Sequence, residues 1–327
     1  MFALIALTNF IKAQDIHYAQ YNYSPLNAGG AFSSLMNADF RMSANNRKQW
    51  NAVTIPYQTL SIGAEEKLNY YNNHLNNFTG GILINQDKAG DGAYRTLNCY
   101  LSIGYQFQLN KDSDSWIAVG VSPGFSQKSI DFNKLSFDNQ FLGDLFNPAA
   151  PTGENPNTNK LSYFDLGSSI LLHQINGQHH FYIGYQLNHI NRPKQNFYST
   201  NITEQAIHHQ VLIGDIIQSN HEIVFLPSLL LARQNRFIEC LFGAEIILPT
   251  TKKSQSISGG LHYRIKDAII PSIAINYNKF RIGLSYDINI SSLKTASHNK
   301  GGAEISIIYQ TLQIKAQPQR KTICPIY

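Results

Sequence analysis

The residues of this chain that could do chemistry are its histidines, carboxylates and cysteines. Their spacing gives no catalytic set. His179–His180 and His208–His209 are adjacent pairs. Neighbours on an extended chain point to opposite faces, so one such pair cannot readily build a single metal site. QDKAGDGAYR, residues 86–95, has two Asp and two Gly, faintly like a calcium loop, but no closing glutamate. It reads as a tight turn. Glu65–Glu66 reads as solvated strand-end charge and not as an acid–base couple. The three cysteines, Cys99, Cys240 and Cys324, are far apart and none lies in a CxxC pair, which excludes a disulfide framework and gives no zinc motif. P-loop, HExxH and dinucleotide fingerprints are all absent from the sequence. The expectation is a non-enzyme with no catalytic residue, no metal and no cofactor.

The elements that would carry these residues are strands. In RIGLSYDINISS, residues 281–292, Ile282, Leu284, Tyr286, Ile288 and Ile290 fall on every second position, with Gly283, Ser285, Asp287 and Asn289 between them. Such alternation is a strand with one oily and one polar face. It recurs in LNCYLSIGYQF (97–107), HFYIGYQL (180–187), IECLFGAEI (238–246) and AEISIIYQ (303–310). Fourteen such segments are predicted between residues 37 and 312. Connections after even-numbered segments are mostly tight, such as 218–221 and 277–280, whereas 128–160, 191–206 and 291–301 are long. Tight turns at one end and long loops at the other describe an outer-membrane barrel, and an even strand count closes it.

A soluble sandwich or propeller would use shorter strands or a fixed internal repeat. It would also bury Glu239, Glu245, Asp287 and Glu304, which cost little on the concave side of a wide, wet barrel. Composition agrees with the barrel. Only 14% of residues are charged and 12% are aromatic, against roughly 25% charged in soluble domains. No apolar run is long enough for a spanning helix. His179–His180 and His208–His209 then read as interfacial or lumen residues. Trp50, Tyr57, Tyr94, Trp116, Tyr163 and Tyr277 lie at strand ends, where aromatic girdles sit. The formal charge of +5 is spread out, with no basic stripe, so nucleic acid is not an expected partner; membrane lipid is. Residues 1–13 read as a secretory signal peptide. Residues 14–36 and 313–327 flank the barrel and are assigned to the periplasmic side. Either could bind periplasmic partners or plug the lumen.

The start QDIHYAQYNYSPLNAGG resembles the opening of the PorP/SprF family of type IX secretion system outer-membrane proteins of the Bacteroidota. Gln20, Tyr21, Pro25, Leu26, Asn27 and Ala28 keep its "QYxxNPLxxNPA" pattern, although Ser24 replaces an Asn and the second "NP" proline is missing. RKQW (47–50), Asp87 with Gly90 and Tyr94, PGFSQKSIDFNKL (123–135), FLPSLLL (225–231) and the closing CPIY (324–327) follow in family order. The resemblance implies a barrel serving secretion or surface anchoring of adhesin-like cargo, and in many members gliding motility. The implied partners are a secreted cargo's C-terminal domain and periplasmic ring or motor components. Tyr18, Gln20, Tyr21 and Pro25 are the expected partner-binding residues on the periplasmic side. The alternative class is a passive porin or solute channel.

Overall fold

The structure is a computed structural model that describes residues 15–49, 55–68, 78–110, 114–143, 145–198, 203–251, 254–292 and 294–311. The expected signal peptide 1–13, the tail 313–327, Trp50 and Cys324 lie outside the described residues.

Period-two alternation produces fourteen antiparallel strands that close into one barrel. They are β1 (Phe40–Gln49), β2 (Tyr57–Lys67), β3 (Phe78–Ala89), β4 (Tyr94–Gln108), β5 (Ser115–Ser129), β6 (Lys160–Asn176) and β7 (His179–Asn188). The second half comprises β8 (His208–Gln218), β9 (Val224–Gln234), β10 (Phe237–Pro249), β11 (Gln255–Arg264), β12 (Ala268–Tyr277), β13 (Phe280–Asn289) and β14 (Lys300–Thr311). Each strand pairs with its sequence neighbours. Closure comes from β1 on β14, in register from Phe40 opposite Thr311 to Gln49 opposite Gly302. Among the described residues the barrel has no unpaired edge strand, which is the condition for a sheet to stand in hydrocarbon.

An even strand number brings residues 39 and 311 to the same end, where the Asp39 amide donates to the Thr311 carbonyl at 2.9 Å. That end also carries tight turns, such as 177–178 with Gly177 at φ 59° and 278–279 with Asn278 at φ 54°. The opposite end carries the long connections 130–159, 189–207 and 290–299. Outer-membrane barrels place short turns in the periplasm and long loops outside, so the two ends are called inner and outer below. The long loops are not featureless: Phe141–Leu142 pairs with Leu145–Phe146, and Lys194–Gln195 with Thr203–Glu204.

The outward face is almost wholly apolar. Ile82, Ile84, Leu101, Ile273, Ile282 and Leu284 are among the large hydrophobics it exposes. Cys99 is exposed on it, opposite Ile84. Aromatic pairs ring this face near both ends, Phe78 with Tyr105 and Phe280 with Tyr309 at the inner end, Phe242 with Tyr263 towards the outer. The girdle expected from the sequence is corrected in part. Tyr277 faces outward, but Trp116 turns into the lumen and stacks on His173 with ring centroids 5.1 Å apart. Tyr94 and Tyr163 likewise share the inward face, because strand parity and not strand-end position decides the side.

If hydrocarbon solvates this face, a charge placed on it should be costly. Ile84, mid-strand and flanked by Ile62 and Cys99, is the test position. Ile84→Arg should lower unfolding free energy in lipid vesicles by about 2–4 kcal/mol. An unchanged urea midpoint would show that this face does not meet lipid.

Candidate functional site

The inward face is polar along much of its circumference, and the chain itself fills it. Residues 15–39 run through the lumen from the outer end to the inner end before β1 begins. The path is fixed by contacts at successive depths. Near the outer end, the Asp15 amide donates to Gln234 Oε1 at 3.0 Å and Arg47 Nη1 donates to the His17 carbonyl at 2.6 Å. At mid-depth, the Tyr21 hydroxyl donates to Ser228 Oγ at 2.5 Å. Deeper still, the Ser33 hydroxyl donates to the Glu65 carboxylate near the inner end of β2. Asp39 then joins the wall.

Local sequence explains why this segment is compact and not helical. Pro25 opens one 3₁₀ turn, Pro25–Ala28, and a second spans Gly30–Leu35. Between them Gly29 takes φ 101°, a conformation that L side chains rarely adopt. The segment then lies flat on glycines of the wall: a Cβ at Gly104 would run into the Gly30 carbonyl, and one at Gly120 into the Ala31 amide. On one side Ala19, Tyr21, Ala28, Ala31 and Phe32 pack with inward apolar residues including Ala118, Leu171, Leu230, Leu241 and Ile270. On the other side the contacts are polar: Ser24 and Asn27 meet Ser61, and Asn85 donates to Asn27 at 2.8 Å.

The strongest anchors are charges. Both carboxylate oxygens of Glu304 accept backbone N–H bonds of the segment, from Ala19 at 2.8 Å and Gln20 at 3.0 Å. Around them Arg47 pairs with Asp287 at 2.5 Å, and Arg264 bridges Asp287 and Glu239 at 2.9 Å each. Arg281 donates to the Tyr23 hydroxyl at 2.9 Å, lies over its ring at 4.7 Å, and pairs with Glu245. Apart from Arg281, whose side chain is 23% exposed, these side chains are almost fully buried. The expectation that they stand in a wide, wet lumen is therefore corrected: the segment displaces the water, and each charge has instead a partner of opposite sign. Glu65 is corrected likewise. It is 2% exposed and bonds Arg41 at 2.7 Å, whereas Glu66 is exposed.

At the outer end His189, just beyond β7, sits between Asp15 and Asp165 with 2.7 Å contacts to each. Burial, the largest single influence on His189, favours its neutral ring, but the two carboxylates outweigh it and push its pKa up to about 10. Asp15 is likewise buried, yet His189 holds its carboxyl below the usual carboxylate range. His208 approaches Asp15 from the same mouth at 3.9 Å.

The four residues expected to meet a periplasmic partner are placed differently. Tyr18, Gln20 and Tyr21 are 5%, 7% and 9% exposed and face the barrel wall. Pro25 is half-buried at the start of its turn. Segment 14–36, assigned to the periplasmic side, lies from residue 15 onward within the lumen, the other placement weighed from the sequence. The histidine pairs divide across the wall: His180 turns inward to His173 at 3.0 Å, and exposed His209 meets Tyr185 at 2.7 Å. Among the described residues no group of three or more His, Cys, Asp or Glu could hold a metal. What this arrangement does chemically is hold a peptide strap in a closed tube. Sequence reasoning placed Glu239, Glu245, Asp287 and Glu304 on one polar face but missed their partners. The only local signal was that they recur at inward parity.

Compared with known proteins, a family model described as the type IX secretion system membrane protein PorP/SprF matches residues 10–309. The chain belongs to the PorP/SprF family. It is thus an outer-membrane component of type IX secretion, a function that entails contact with other components of that system. No curated protein matches the sequence. Among solved structures this PorP/SprF chain is similar to the Ralstonia pickettii toluene transporter TbuX, with TM-score 0.54, 10% identity, and coverage of 89% of this chain and 93% of that one. It is similar also to the CymD monoaromatic hydrocarbon channel, with TM-score 0.52, 7% identity, and coverage of 89% and 93%. At such identities the likeness is one of fold. It places the chain among outer-membrane barrels.

Two outcomes test this site. Asp287→Ala leaves Arg47 and Arg264 buried without their shared carboxylate, and should cost about 3–5 kcal/mol of unfolding free energy. A loss within error of zero would mean that water, not the segment, surrounds these charges. The outer clasp should be pH-dependent. His189 has a raised pKa, so its contribution is full below about 6.5 and is lost as pH rises through about 10. Asp15 has a lowered pKa, so its contribution is present above about 3.8 and lost on strong acidification. Urea midpoints of the native protein should therefore fall between about pH 6 and pH 10. The His189→Gln variant should show a shallower fall; equal slopes would remove the clasp from the argument.

Proposed function

We propose that this PorP/SprF protein is a plugged anchor: it supports secretion by holding adhesin-like cargo at the cell surface and passes no solute. The observation that carries this reading is the strap of residues 15–39, which occupies the lumen and is tied by buried ion pairs and wall glycines. The outer loops 130–159, 189–207 and 290–299 would then meet the C-terminal domain of the secreted cargo, since loops on a rigid barrel are where binding residues gather. The inner turns and the residues after 311 would face the periplasmic ring and motor components. Support of gliding motility would follow where the retained cargo is an adhesin that the motor moves.

Tyr18, Gln20, Tyr21 and Pro25 enter this reading as residues that keep the strap in place, acting on partners only through it. The rival reading is a passive channel. It draws on the names of TbuX and CymD, a transporter and a channel, and on the shared barrel. The filled lumen favours the anchor.

Planar-bilayer recording separates the two. The native protein should give no resolved steps. Gly120→Val, which forces the strap off the wall, and Tyr21→Ala, which removes a buried ring and its bond to Ser228, should both produce open steps while the barrel still inserts. Large steady conductance from the native protein would retire the anchor. Shortening loop 130–159 should abolish cargo display at the cell surface without affecting insertion.

A further inference from the structure

The outward face changes character abruptly at one place on the outer rim. On β8 and its neighbours the register sets rows across the wall. Ile213 lies beside Ile183 and Leu229, and Val211 beside Tyr185 and Leu231. One step further out, at the next outward-facing position, His209 lies beside Leu187 and Arg233. Two residues along a strand is roughly 6.6 Å, so within that distance the wall passes from aliphatic to basic. The inward residues one position further out, His208 and Gln234, face the strap and do not contribute.

Arg192 joins His209 and Arg233 around an open cleft of about 600 Å³, completed by Ala206, Ile207 and Asn235. The three basic groups are held in different ways. The Tyr185 hydroxyl shares a 2.7 Å hydrogen bond with His209 Nδ1. Arg233 Nε donates to the Asn235 carbonyl at 3.3 Å, which orders the guanidinium at the cleft. Arg192 pairs with Glu204 at 3.3 Å, but both side chains are largely solvent-exposed, and an exposed pair of this kind is readily exchanged for a better anion. Glu204 is not part of the cleft lining.

We infer that Arg192, His209 and Arg233 bind the phosphate of an anionic glycolipid in the outer leaflet. Guanidinium forks match phosphate oxygens in pairs. Basic clusters where a lipid-facing wall meets the headgroup layer are suited to anionic lipid headgroups. The apolar rows directly below the cleft decide the source of the phosphate. Acyl chains attached to the same molecule would lie against Val211, Leu231 and Tyr185, whereas a free phosphate would leave that surface without a role. The site is separate from the strap, but Arg192, Ala206 and Ile207 belong to the outer loop 189–207 that the cargo-binding reading also uses. It would fix the depth and rotation of the barrel in its membrane.

Native mass spectrometry of the detergent-purified, delipidated full chain with added diphosphoryl lipid A tests this. One tightly retained lipid per barrel is expected. Arg192→Gln with Arg233→Gln should weaken retention about tenfold or more, the loss of two charge-assisted contacts, while the heat-modifiable gel mobility of a folded barrel is unchanged. The single variant Arg233→Gln, with an intermediate loss, guards against misfolding of the double one. Lipid A stripped of both phosphates should bind as weakly as the double variant does. Equal retention by native and double-variant protein would overturn the assignment. So would inorganic phosphate displacing lipid A at equal concentration, since that would mark a site for the free anion.

Discussion

The ladder between the first and last strands is the contact on which the rest of this protein depends. Until Phe40–Gln49 pairs with Lys300–Thr311, the sheet has two open edges. Hydrocarbon offers those edges no hydrogen-bond partner, and each unsatisfied group costs several kcal/mol. Closure removes both edges and creates an inside. It also explains the division of residue types: the outward face can be nearly all aliphatic because no second protein layer has to match it.

An inside that held only water would tolerate its acids and arginines without further arrangement. This one holds peptide, and the electrostatics change accordingly. Arg47, Arg264, Asp287, Glu239 and Glu304 sit where isolated charges would be prohibitive, so each survives by pairing, and Arg47 and Glu304 also by hydrogen bonds to the strap. The strap is not loosely stuffed. Small wall residues at Gly104 and Gly120 let its backbone approach closely, and the apolar half of its surface finds an apolar sector of the wall. Burial and pairing thus reinforce one another: the strap desolvates the charges, and the charges define where the strap lies.

The same barrel architecture occurs in the transporter TbuX and the channel CymD. Function does not follow from that architecture. What bears on function in this chain is what fills the tube and what stands at its rims, and both are built from residues that no catalytic motif search would select. Histidine illustrates the point. Each of His179–His180 and His208–His209 splits across the wall, one member serving the lumen and the other the outer surface, because adjacent strand residues point to opposite sides.

Strand number, antiparallel order, the lipid-facing face and the family resemblance were legible in the sequence, because a strand's period of two is local and is written in consecutive residues. The strap was not. Residues 15–39 have no periodicity, and their composition of Gln, Tyr, Asn, Ser and Gly fits a tail as well as a plug. The bonds that place them join residues such as Ala19 and Glu304, or Tyr21 and Ser228, hundreds of positions apart. Only once the barrel has closed, and its diameter and register are set, do those partners meet. For the same reason the sequence marked Glu65 as a strand-end charge, while the folded chain buries it against Arg41 and Ser33. Local alternation determined which side of the wall each residue takes; the tertiary structure decided what waits for it there.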